Sequence, residues 1–341
     1  MPGPCQDHGG ASLISRRFEA LDGCRGLAAL VVLAYHVFAY AHPTGPLSGG
    51  YLAVDLFFVL SGFVLAHAYG PRLQAGLSPA RFMGLRLARL WPAYGLGIAA
   101  AVTIALLTTR PAGLWQATLT ALLFLPFPQD LGQGPSLFPL DLPAWSLFFE
   151  LAANLTYALL HRFLTVRRLL ALLALAVIGL IIVAVRADGL HAGWAPDNFP
   201  GGAPRAAFGF FAGVLIQRLW PAGLKPASGP VPALIGLAAL SVLFVPVAVP
   251  LRPVFDVLVV VLVFPFSVAV LSAAKLPTGL GKVTAAIGLI SYPLYVLHMP
   301  FMPWLRACPL VVLPVLLVAS YLVGRLVEPP LRARLERALR V

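Results

Sequence analysis

The sequence predicts an all-α, polytopic integral membrane protein with about ten transmembrane helices and both termini in the cytoplasm. Three observations carry that expectation. First, 60% of the 341 residues are hydrophobic and only 11% are charged, against about 25% charged in ordinary soluble domains; the mean hydropathy is +0.90. Second, apolar segments long enough to cross a bilayer as helices recur along the whole chain. Third, the 24 Lys and Arg outnumber the 12 Asp and Glu, and they gather between alternate apolar segments, as topology-setting charges do.

On the length criterion the spans fall near 26–43, 51–69, 91–109, 145–162, 168–186, 204–220, 231–250, 254–272, 285–304 and 310–327. The stretch 114–127 is short and closed by Pro126 and Pro128. Letting it cross would invert everything after it and spoil the positive-inside bias, so it is expected to stay on the outer face, partly embedded. Most basic residues then face the cytoplasm, with Arg110, Arg186, Arg205, Arg252 and Arg306 outside. The chain divides into a cytoplasmic segment 1–17, a membrane domain 18–330 and a basic cytoplasmic tail 331–341. Residues 1–17 lack an apolar core, so no cleaved signal peptide is expected. The tail carries Arg332, Arg334, Arg337 and Arg340 and is expected to lie against anionic lipid.

Composition and motifs also exclude function classes. Basic residues set between spans, with no RNA- or DNA-binding motif, point to a membrane setting and not to nucleic acid. Cys5, Cys24 and Cys308 are scattered and imply neither a disulfide framework nor a zinc site. No GxSxG elbow, P-loop or HExxH occurs, so an NTP-driven pump and a metal hydrolase are set aside and no metal is expected.

Polar residues inside spans are costly and usually functional. Arg25 stands at the mouth of the first apolar segment and His36 lies eleven residues further in, ~16 Å along a helix axis. On the ten-span topology His36, Asp55, Glu150 and His298 share one layer, ~6–10 Å from the outer boundary at helical rise. Each alone has an ordinary explanation: a helix-to-helix hydrogen bond, a wetted carboxylate, an interfacial belt. Their common depth favours a site. At the opposite face, Arg86 and Arg89 lie three apart on one helix face, level with Arg25, and guanidinium forks suit phosphate. The pattern points to a phosphate-bearing cofactor held at the cytoplasmic face, its reactive end directed toward His36.

The same residues carry a resemblance. Leu21-Asp22-Gly23-Cys24-Arg25-Gly26-Leu27-Ala28-Ala29 with His36, the stretch Gly50 to Phe63 including Asp55 and Ser61, Arg86-Leu87-Ala88-Arg89 with Pro92, Trp145-Ser146-Leu147 with Glu150, Ile290-Ser291-Tyr292-Pro293-Leu294-Tyr295-Val296-Leu297-His298, and Val327-Glu328-Pro329 stand in order. Over about 18 to 330 the chain resembles the membrane-bound acyltransferase 3 family, which transfers acyl groups, most often acetyl, to sugars of exported glycans and to some small molecules. Cys24 and Trp91 depart from the family pattern without removing a proposed catalytic group. The resemblance implies a multi-pass enzyme of the bacterial-type cytoplasmic membrane, an acyl-CoA donor on the cytoplasmic side, and a carbohydrate or glycan hydroxyl as acceptor. His36 corresponds to the family's essential histidine, and Arg25, Arg86 and Arg89 to arginines near the donor. The roles of Ser61, Trp145, Tyr292, His298 and Glu328, which also fall in these motifs, stay open between substrate contact and structure.

The expected chemistry is O-acylation, with His36 as general base, or in a variant as nucleophile, and Asp55 or Glu150 as its acid partner. Some relatives carry a fused extracytoplasmic domain; none is expected here, and a separate partner could supply a further transfer step. Two other classes remain: a proton-coupled transporter or flippase using His36, Asp55 and Glu150 as a relay, and a scaffold subunit indifferent to substitution at all of these positions.

Overall fold

The computed structural model describes residues 18–39, 45–132, 134–220 and 227–339. The segment 1–17, Lys225 and Arg340 lie outside the described residues. The chain is built from helices: α1 (Glu19–Ala34, continued by a π turn over Tyr35–Ala39), α2 (Ala53–Gln74), α3 (Pro79–Leu107), α4 (Leu114–Leu122), α5 (Ala144–Leu160), α6 (Val166–Arg186), α7 (Gly202–Leu219), α8 (Val231–Ser241), α9 (Arg252–Leu258), α10 (Phe264–Ser272), α11 (Thr278–Leu297), α12 (Met302–Ala307), α13 (Pro309–Leu322) and α14 (Glu328–Ala338). The two strands are two residues each, Ala227–Ser228 pairing in parallel with Ala274–Lys275.

Among the described residues eight helical stretches are long and apolar enough to cross a membrane, and Ala144–Leu160 and Val231–Phe244 are shorter apolar helices. An all-α, multi-pass membrane protein is therefore what the chain forms. Its outer surface agrees: Ile178, Ile181, Ile182 and Val185 of α6 are exposed, and Leu310 is 90% exposed. Such a surface would drive aggregation in water but suits lipid.

Several span boundaries differ from expectation. The third helix begins at Pro79, not near 91, because Ser78 caps it by accepting from the Arg81 N–H at 3.3 Å and Pro79 fits its first turn. The first begins at Glu19, seven residues before 26. Arg25, Arg86 and Arg89 thus sit well inside α1 and α3 and not at the helix starts. The ninth expected span, 285–304, is instead α11, ending at Leu297 and followed by short turns that open with Pro300 and Pro303. Near 114–127 the nine-residue α4 covers only ~13 Å at helical rise, too short to span. It is pinned to α3 by the Tyr94 hydroxyl donating to the Ala121 carbonyl at 3.0 Å.

Two helix pairs position the site, and each depends on glycine. A Cβ on Gly62 of α2 would lie 1.9 Å from the Phe210 carbonyl oxygen of α7, and one on Gly213 of α7 would lie 2.1 Å from that of Val59. Likewise a Cβ on Gly26 of α1 would lie 2.5 Å from the Ile287 oxygen of α11. Small residues let helices touch backbone to backbone, which replaces the missing hydrophobic drive between helices in lipid. So α2 is held against α7, and α1 against α11.

One end of the bundle gathers Glu19 with Gly281, and Gly84 with Leu339; we call it the near end. The far end gathers Ser48, Tyr51, Leu190, Arg252 and Asp256, which hydrogen-bond among themselves.

Candidate active site

A cavity of about 510 Å³ opens at the near end, with Asp22, Arg25, His67 and Arg89 toward its mouth and Val54, Ser146 and Tyr295 at its inner end. Along α2 its walls run from His67 to Val54, ~20 Å at helical rise. That length suits an extended ligand arm with a charged head at the arginine-bearing end.

Each mouth arginine already has a carboxylate. Arg25 reaches Asp22 at 3.2 Å and donates from Nε to the Ser291 hydroxyl at 3.0 Å. Arg89 meets Glu328 at 2.7 Å, and its guanidinium lies 5.8 Å from the centre of the Tyr292 ring. Arg86 meets Glu150 at 3.1 Å, and Glu150 also accepts from Ser61 at 2.7 Å. Exposure separates them: the side chains of Arg25 and Arg89 are 35% and 29% exposed, that of Arg86 only 12%. Both partners of Arg25–Asp22 are partly wetted, whereas Glu328 beside Arg89 is only 7% exposed; the half-buried Arg86–Glu150 pair holds α3, α5 and α2 together.

The far end holds the histidines. His36 Nδ1 and His298 Nε2 are 3.1 Å apart, and His298 Nδ1 is 3.0 Å from the Leu294 carbonyl oxygen. That carbonyl can only accept, so in the neutral pair His298 carries its proton on Nδ1 and its Nε2 accepts from the Nδ1–H of His36. The network therefore assigns the lone pair of His36 to Nε2, the arrangement of a general base oriented by a second group. The π turn at Tyr35–Ala39 presents this ring, and Arg306 donates to the His36 carbonyl at 2.8 Å.

Around the pair lies a polar, aromatic shell. The Tyr35 hydroxyl is 3.2 Å from His191 Nε2, and the rings of Tyr51 and His191 are 5.0 Å apart. The Tyr51 hydroxyl donates to Asp256, which also accepts from the Leu190 N–H at 2.8 Å. His191 lies in the connection after α6; burial, and secondarily the Arg205 charge, push its pKa down to about 4, so it is a neutral ring.

The four residues expected in one layer do not form one hydrogen-bonded cluster. His36 and His298 meet. Asp55 instead accepts from Arg205 Nε at 3.0 Å and from its second nitrogen at 2.6 Å, both side chains buried, and Trp145 stacks 4.9 Å from that guanidinium. Glu150 belongs to the near-end cavity. The acid partner expected for His36 is thus a second imidazole in the structure, because each carboxylate is bound to an arginine that came from elsewhere in the chain. A relay through His36, Asp55 and Glu150 would have to pass through the Arg205 and Arg86 ion pairs. Tyr292 donates to the Leu90 carbonyl at 2.7 Å, tying α11 to α3.

Arg205, His191, Arg252 and Asp256 escaped the sequence reading. A signal existed for three of them: Arg205 stands within an expected span, and Arg252 and Asp256 are charges four apart in an apolar run, both marks of function in lipid. His191 sits in a connection and carries no such mark.

Residues 18–327 match the acyltransferase domain that defines the acyltransferase 3 family; the chain belongs to that family and is a multi-pass membrane acyltransferase. It is 42% identical over 184 residues to "Protein 2 in picA locus" of Rhizobium radiobacter, covering 49% of this chain and 95% of that protein. It is 42% identical over 55 residues to the peptidoglycan O-acetyltransferase OatA of Listeria monocytogenes, covering 16% of this chain and 8% of that protein. The chain therefore spans nearly all of the first relative and less than a tenth of the second. No solved structure matches it.

Proposed function

We propose that this member of the acyltransferase 3 family moves an acyl group, acetyl in the simplest case, from coenzyme A at the near end to a carbohydrate hydroxyl at the far end. The single observation that supports this most is the hydrogen-bonded pair of His36 and His298, placed beyond the inner end of a cavity whose mouth carries Arg25 and Arg89. The near end is read as cytoplasmic, since Arg81, Arg332, Arg334 and Arg337 lie there and basic residues favour that side.

In this reading Arg25 and Arg89 bind the donor's phosphates, releasing Asp22 and Glu328, and the thiol-bearing arm extends along α2. His36 Nε2 takes the proton of the acceptor hydroxyl as its oxygen attacks the thioester carbon. The C–S bond then breaks, and the proton on His36 returns to the departing sulfur. His298 holds the ring in the tautomer this requires. The aromatic shell of Tyr51 and His191, with the Trp194 ring 5.6 Å from that of His191, suits a sugar, whose C–H face packs on rings while its hydroxyls seek polar groups. The Listeria relative's name makes peptidoglycan the first acceptor to try, with the inner membrane as the setting.

The test is to incubate membrane vesicles containing the full-length chain with [14C]acetyl-CoA, following free thiol and label in the glycan fraction. Wild-type protein is expected to release thiol and label glycan in step. His36→Ala is expected to lose both by at least about 100-fold while remaining in the membrane. Full activity in that variant, or substrate movement without thioester consumption, sinks the reading.

A further inference from the structure

The donor cavity stops short of the histidine pair. Its wall includes Ser146 and Tyr295, and among the described residues it does not include His36. Between them stands Tyr295, whose ring centre is 6.3 Å from that of His298. An acyl group reaching the end of the cavity therefore meets Tyr295 just before it meets the base.

Five hydroxyls line this cavity, and their hydrogen bonds differ in kind. Ser61 donates to the Glu150 carboxylate, Ser291 to the Gly288 carbonyl, Tyr292 to the Leu90 carbonyl and Ser146 to the Pro143 carbonyl. With the Ser146 proton so committed, the 2.8 Å contact between Ser146 Oγ and the Tyr295 hydroxyl has Tyr295 as its donor; its contact with the Pro143 carbonyl is longer, at 3.4 Å. Tyr295 alone of the five gives its closest hydrogen bond to another hydroxyl, a weaker acceptor than a carboxylate or an amide oxygen. It has most to gain by turning to a developing negative charge. The phenol is also preorganised: the ring is buried and Phe57 packs edge-on against it at 5.7 Å.

We propose that Tyr295 is the oxyanion-binding group of the transfer, its hydroxyl rotating from Ser146 to the thioester oxygen as the acceptor adds. This rests on the acyl-CoA reading above. When the acceptor oxygen bonds to the carbonyl carbon, the C=O electron pair moves onto oxygen and the acceptor proton passes to His36. The Tyr295 O–H donates to that oxygen without transferring its proton. The pair then returns as the C–S bond breaks and the sulfur takes the proton from His36. Such donors act where charge develops and are worth most in a dry site.

The experiment compares wild type, Tyr295→Phe, Ser146→Ala and His36→Ala in the same vesicles with [14C]acetyl-CoA, and measures binding of free coenzyme A to each purified full-length protein. Phenylalanine keeps the ring packing, so the expected result is a fall in kcat of about 100- to 1,000-fold, with donor KM and coenzyme A affinity within about twofold of wild type. Ser146→Ala leaves the Tyr295 donor in place and is expected to keep at least a tenth of wild-type kcat. If Tyr295→Phe turns over within about threefold of wild type, or its loss comes with lost coenzyme A binding, the assignment is overturned. The acyl-CoA reading fails separately, if wild type itself releases no thiol or His36→Ala is fully active.

Discussion

The two ends of the bundle treat buried charge in opposite ways. At the near end Arg25 and Arg89 each hold a carboxylate through one guanidinium nitrogen and remain about a third exposed. At the far end Arg205 grips Asp55 with two nitrogens, donates further to the Ala192 and Tyr51 carbonyls, and is 1% exposed. A half-wetted guanidinium exchanges its carboxylate more cheaply than a dry, forked one, because separating the dry pair strands a charge in low dielectric. The same residue types thus make a replaceable contact at one end and a fixed strut at the other. Where ligand should enter, the pairing is loose; where the base must not move, it is tight.

The largest effect expected from breaking this contrast is at the strut. Asp55→Asn should destabilise the protein by about 3–5 kcal/mol by leaving Arg205 charged and unpaired, read as a lower unfolding temperature in detergent. The double variant Asp55→Leu, Arg205→Met should recover most of that loss. If Asp55→Asn alone is neutral for stability, the far-end pair is no strut. At the near end the consequence should be kinetic. Arg89→Lys, which keeps a positive charge beside the buried Glu328, is expected to raise donor KM roughly tenfold, the value of one charge-assisted hydrogen bond, with kcat and unfolding temperature little changed. A collapse in stability there would remove the contrast between the ends.

Smaller effects sharpen the picture around the histidines. His298→Ala should lower kcat about tenfold, the net worth of one hydrogen bond, and alter its pH profile by releasing the His36 tautomer; unchanged kcat and profile would make His298 a packing residue. The smallest effect concerns His191. Its folded value of about 4 lies below the unfolded value of about 6.5, so protonation favours the unfolded chain. Its contribution to stability is intact above about 6.5 and lost as pH falls toward 4. His191→Gln should therefore narrow the gap in unfolding temperature between pH 7 and pH 5, and an unchanged gap would show that this ring does not titrate on unfolding.

The fold was legible because lipid imposes a long apolar run on each crossing helix, and such runs stand out in a sequence. The helix ends were less so. A scan for apolar length starts the third span after Arg86, yet Arg86 lies inside α3, made tolerable by Glu150, which is 64 residues away. Glu150 is offered as a partner of His36 for the same reason: its own partner cannot be seen. His36 and His298 could be singled out because an imidazole in a span is conspicuous. That they meet each other, and that Asp55 meets Arg205, depends on which helices touch, and this is set by glycines whose role shows only once α2 lies on α7 and α1 on α11.

The contact of α1 with α11 has one further result. The two helices are bolted twice, by Arg25 to Ser291 at one level and by His36 to His298 at another, with Gly26 fixing their spacing between the bolts. In the proposed function the two helices run together from the donor end to the acceptor end. A slip of either helix by one residue would displace both Arg25, the proposed anchor of the donor, and His36, the proposed base, so damage at one station should register in assays of the other.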